Sequence, residues 1–84
     1  MKILHRLKHT TDKNGIKTAL DIMIYESKII WYFIEETKYD DGDEFTEDQS
    51  YDDYIKNGPP SFADNIPPET IKEIDHIVKR KQLH

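Results

Sequence analysis

The sequence predicts an α+β fold, a three-stranded antiparallel β-meander followed by two helices packed on one face. Three observations lead there. Asn14-Gly15 separates two runs of alternating apolar residues, the strongest short-range hairpin signal because both residues accept positive φ. Residues 28–35, KIIWYFIE, are β-branched or aromatic almost throughout, which suits a pleated sheet and restricts χ1 in a helix. Near the C-terminus, Ile71, Ile74, Ile77 and Val78 recur at the spacing of one helical face.

Taken in order, residues 2–9 form a strand with Ile3, His5 and Leu7 on one side. Residues 10–15 form a turn ending in Asn14-Gly15. Residues 16–25 place Ile16, Thr18, Leu20, Ile22 and Ile24 on one face, the alternation of a half-buried strand. Glu26-Ser27 makes a short turn into 28–35. Because that strand is apolar on both faces, it reads as central or as covered by a partner. The rival for this region is one helix across 19–36, since Thr18 with Asp21 resembles a cap and Leu20, Met23, Ile24, Ser27, Trp31 and Ile34 fit a helical stripe.

An acidic loop follows Glu36. A helix over 47–57 is predicted from Thr46 and Gln49 as a capping box, with Glu47 and Asp48 in the first turn. Asn57-Gly58 and Pro59-Pro60 stop it, and Tyr51, Tyr54 and Ile55 face inward. A proline-rich connector carries Phe62 and Ile66 as anchors. The final helix spans 68–82, with Pro68 at its first turn and Lys79, Arg80 and Lys81 at its negative end.

A chain of 84 residues makes one small domain. It contains no cysteine, which excludes disulfides, thiolate metal sites and thiol catalysis. The longest apolar run, Ile29 to Ile34, is far short of the roughly 20 residues of a membrane-spanning helix. The N-terminus lacks a signal-peptide core, so a cytoplasmic location is expected.

The net charge of −5 is unevenly distributed: residues 1–20 sum to +4, 21–55 to −10, and 56–84 to +1. An acidic block repels nucleic-acid phosphate and attracts basic protein surfaces. Its bland alternative is a solvated face that only aids solubility.

No constellation for catalysis or cofactor binding emerges. Placing Gly42 at position 6 of a calcium loop puts Tyr39 and Thr37 where carboxylates are needed. His5 and His9 on a strand lie about 13 Å apart, too far to share a metal. Ser27, Ser50 and Ser61 sit in no nucleophile elbow, and the three glycines are too scattered for a phosphate loop. No enzyme activity, metal or cofactor is expected.

Binding is better signalled. Between Glu35 and Asp53 ten acids face one base, Lys38, with Tyr39, Phe45, Tyr51 and Tyr54 interleaved. Carboxylates steer a basic partner, and tyrosine is a frequent interface anchor. The expected partner-binding residues are Tyr39, Asp40, Asp41, Asp43, Glu44, Glu47, Asp48 and Asp52, with the last three on one outward helix face. Such a row is expected to mimic phosphates and occlude a basic, nucleic-acid-binding surface of a larger protein. A second expectation is a homodimer through Trp31 or Tyr32; a third is weak nucleic-acid binding by the basic N-terminal hairpin. Small, cysteine-free, acidic chains of this kind resemble accessory proteins of phages and mobile elements, which often bind and block a larger host protein. That resemblance is one of style and carries no residues over.

Overall fold

The computed structural model describes residues 2–37, 40–63 and 66–82. Strands β1 (His5–Lys13), β2 (Ile16–Ile24), β3 (Lys28–Thr37) and β4 (Asp40–Ser50) precede helix α1 (Tyr51–Asn57), a 3-10 turn at Ser61–Ala63 and helix α2 (Pro68–Gln82). All four strands pair antiparallel in chain order, giving an open sheet β1-β2-β3-β4.

The β1–β2 hairpin turns where predicted, with Asn14 at φ 54° and Gly15 at φ 78°. These two positive values match the right-handed twist of the flanking strands. The turn is tighter than predicted, since residues 10–13 continue β1 up to Lys13. At the next corner the Tyr25 amide donates to the Lys28 carbonyl across Glu26-Ser27. Residues 19–36 are therefore two strands joined by a turn, and the single-helix alternative does not occur.

The prediction fails at the fourth strand. Residues 40–50 were expected as loop and helix start, but they pair with β3 from Lys28↔Ser50 to Glu35↔Asp43. The cause lies in β3. A strand apolar on both faces needs a ladder at each edge, and β4 supplies the second despite its low intrinsic strand preference. A β-bulge between Glu35 and Thr37 interrupts this pairing opposite Gly42, at φ 101°. A Cβ at Gly42 would run into the Glu35 carbonyl oxygen, so the close backbone approach requires glycine.

Helix α1 accordingly begins later than predicted. Its cap is Ser50, whose hydroxyl accepts from the Asp53 amide at 3.1 Å. Gly58 ends it at φ 75°, its amide donating to the Tyr54 carbonyl. Tyr51 and Tyr54 are buried as expected, but Ile55 is 51% exposed and faces outward. Helix α2 matches its predicted span and buries Ile74, Ile77 and Val78.

The core lies on one side of the sheet. Leu20, Ile22, Ile24, Ile29 and Trp31 meet Tyr51, Tyr54, Ala63, Ile74, Ile77 and Val78. Burying each large side chain contributes about 1.5–3 kcal/mol before entropy is counted. Trp31 and Tyr54 stack with centroids 6.2 Å apart. Gln49 is the one buried polar side chain among the described residues, at 3% exposure. Its carbonyl oxygen accepts from Trp31 Nε1 at 2.9 Å, and its amide donates to Asp53 and to the Gly58 carbonyl. One side chain thus ties β3, β4 and both ends of α1 together. No described helix is long and apolar enough to cross a membrane.

Candidate functional site

β4 is an edge strand, so its acids are presented with strand geometry. Successive side chains point to opposite faces. Its partners in β3 show which is which: Gln49, Glu47, Phe45 and Asp43 share the helix side with Ile29, Trp31, Phe33 and Glu35, while Asp48, Thr46 and Glu44 share the other side with Ile30, Tyr32 and Ile34.

This divides the predicted acidic row. Glu47 and Asp48 do not lie on a helix with Asp52; they point away from each other on β4, and of the three only Asp52 lies on α1, where it is exposed. Asp43, Glu44, Glu47 and Asp48 are all exposed. Asp48 pairs with Lys28 Nζ at 3.4 Å, and Glu44 lies on the same face as Tyr32, diagonal to it across the ladder. The Tyr32 hydroxyl titrates above the usual tyrosine value, first through partial burial and then through the Glu44 charge. Asp40 and Asp41 open β4; Tyr39 lies outside the described residues. Trp31 is unavailable for association because it is fully buried in its own core, whereas Tyr32 lies on the uncovered sheet face.

On the helix side, an aromatic cluster that sequence reasoning did not assemble sits among these acids. Phe45 stacks on Phe62 with centroids 5.8 Å apart, and both contact Phe33, at 6.2 and 6.1 Å. Phe45 is nevertheless 46% exposed. Beside it runs a groove of about 360 Å³ whose lining includes His9, Phe33, Phe45, Phe62, Glu35 and Asp43. The signal for it was the lone aromatic at the centre of an acidic run, together with Phe62 in the connector.

The electrostatics of this groove are specific. Glu35 and Asp43 stand directly opposite each other in register on one face. Like charges at such positions are about 5 Å apart at Cβ and destabilise the pair. Among the described residues neither carboxylate has a salt-bridge partner. The β3–β4 ladder thus holds two carboxylates beside an exposed ring, a setting suited to an ammonium or guanidinium group.

The histidines form no comparable centre. His5 and His9 share the helix-side face of β1 four residues apart, and no group of three metal-ligating side chains occurs among the described residues. A second cleft, of about 480 Å³, lies between β1 and α2 and is lined by His5, Glu73, His76, Arg80 and Lys81. Its charges are mixed and its titratable groups are all exposed.

Comparison with protein-family models, curated proteins and solved structures returns no match to this chain.

Proposed function

We propose that the chain is a protein-binding module whose β4 edge docks onto a basic surface of a larger protein. The observation that carries this reading is the Glu35–Asp43 carboxylate pair beside the half-exposed Phe45. Like charges in register repel, and a cation entering between them relieves that repulsion. A lysine or arginine side chain of the partner lies in the groove, its head between the carboxylates and its stem against Phe45 and Phe62. An aromatic contact of this kind contributes about 0.5–1 kcal/mol at an exposed site. Asp43 and Glu47 on the helix side, with Asp52 on α1, extend the negative field around that anchor and raise the association rate.

Where the partner's basic surface is one that holds nucleic acid, docking occludes it. The division of β4 acids between two faces favours an anchored contact over imitation of an evenly spaced phosphate row. Reversing Asp40, Asp41, Asp43 and Glu44 to lysine is expected to abolish partner binding. Phe45→Ala is expected to weaken it at any salt concentration, because it removes the anchor and leaves the charges. Unchanged affinity in the charge-reversed variant would refute the reading.

A further inference from the structure

Among the described residues, the helices pack on one side of the sheet. On its other face β2 and β3 carry Ala19, Met23, Ile30, Tyr32 and Ile34, all half-buried. The helices bury the opposite set of strand residues. Register aligns Met23 with Ile30, Asp21 with Tyr32, and Ala19 with Ile34. These side chains form an apolar stripe down the two central strands. Asp21 interrupts it, and its charge is met by Arg6 Nη2 at 3.1 Å.

The flanks of this stripe have opposite sign. β1 adds Arg6 and Lys8, in register with Met23 and Asp21. β4 adds Glu44 and Asp48, in register with Ile34 and Ile30. Arg6 is paired with Asp21 and Asp48 with Lys28 within this face, and Asp12 lies at the far end of β1, so Lys8 on the β1 flank and Glu44 on the β4 flank are the charges left to meet a second copy.

We propose that this face associates with a second copy of the chain, sheet stacked on sheet, about a two-fold axis parallel to the strands. That axis exchanges the flanks. It lays the basic β1 of each copy over the acidic β4 of the other, and sets the apolar stripes against each other. An in-plane axis across the strands would instead place β1 over β1 and β4 over β4, with like charges facing. The sign pattern selects the first arrangement.

The available area agrees with a second copy as occupant. Four strands about 4.8 Å apart, over some eight residues each, bury on the order of 1,000 Å² for the pair, the lower limit for a specific interface. The result is a reversible dimer rather than a permanent one. The helix-side groove with Phe45, Asp43 and Glu47 stays outside the contact.

Sedimentation equilibrium on the full chain tests this. The expected result is a mass rising from 10.0 kDa toward twice that value with concentration. Ile34→Glu, on the face opposite the core cluster, is expected to hold the chain monomeric while its circular dichroism stays unchanged. Lys8→Glu is expected to weaken the dimer roughly tenfold through two symmetric rim contacts. Adding Glu44→Lys to Lys8→Glu is expected to restore it. A 10.0 kDa mass at about 1 mM would overturn the proposal. So would a mass that grows without limit, which is the mark of β1–β4 edge pairing. Failure of the double reversal to restore the dimer would overturn the proposed axis.

Discussion

Gln49→Met is the sharpest test of how the described structure holds together. Gln49 is 3% exposed and makes three side-chain hydrogen bonds, to Trp31 at 2.9 Å, Asp53 at 3.0 Å and the Gly58 carbonyl at 2.8 Å. Methionine has similar length and volume, so little cavity forms, but its thioether is a weak acceptor and no donor. The buried indole N–H is then orphaned, at about 1–3 kcal/mol. The Asp53 and Gly58 acceptors are only partly buried and recover water, so each of those losses is at the low end of about 0.5–1.5 kcal/mol. The expected cost is about 2–4 kcal/mol. A domain of 84 residues has about 4–13 kcal/mol in total. Urea unfolding followed by circular dichroism and by the single tryptophan should show a lower midpoint at unchanged slope. A loss below about 1 kcal/mol would refute the buried network as the tie between β3, β4 and α1.

Other expectations follow from the same contacts. Gly42→Ala is expected to cost about 1–3 kcal/mol from its positive φ alone, with the clash against the Glu35 carbonyl added. Gly15→Ala meets open space and should cost only the backbone part, about 1–2 kcal/mol, so equal melting shifts for the two variants would count against the bulge. Burial pushes the Tyr54 hydroxyl well above the ordinary value of 10.0, and its hydrogen bond to Asp75 at 2.7 Å adds to this; Tyr51 is raised first by burial and then by the charge of Glu26. The fold therefore favours the protonated tyrosines: their contribution is fully present below pH 10.0 and is lost as pH rises through the folded-state ionisations. Stability measured from neutral pH to above that value should fall more steeply in the native chain than in Tyr54→Phe; parallel curves would contradict it. Phe45→Ala, at a half-exposed position, should cost about 1 kcal/mol or less in urea titration, which separates its effect on binding from any on folding.

Much of the fold is legible in the chain because local and tertiary preferences agree. Asn14-Gly15 sets its turn wherever two strands flank it, and α2 carries its apolar face at one regular spacing. β4 was illegible for the opposite reason. Asp40, Asp41, Gly42, Asp43 and Glu44 are poor strand formers, and Thr46 with Gln49 imitates a capping box. Gln49 belongs to a buried hydrogen-bond network, and Ser50 with Asp53 is the true cap. The clue was β3, whose second apolar face leaves an edge that must pair. Misreading a strand as a helix also misplaced the acids: helical spacing puts Glu47, Asp48 and Asp52 together, whereas strand alternation separates the first two. The acidic composition of the site was visible, and its groove was not, because Phe33 and Phe45 meet only through sheet register and Phe62 reaches them from the 3-10 turn.

The central claim is that the β4 edge docks a basic partner through its acids and Phe45. The most direct measurement is quantitative capture from cell lysate, at low and moderate salt, by the native chain and by a variant carrying Asp43→Lys, Glu47→Lys and Phe45→Ala. The account expects a basic protein that is retained by the native chain, released as salt rises, and not captured by the variant. Equal capture of the same protein by both chains, insensitive to salt, would contradict it.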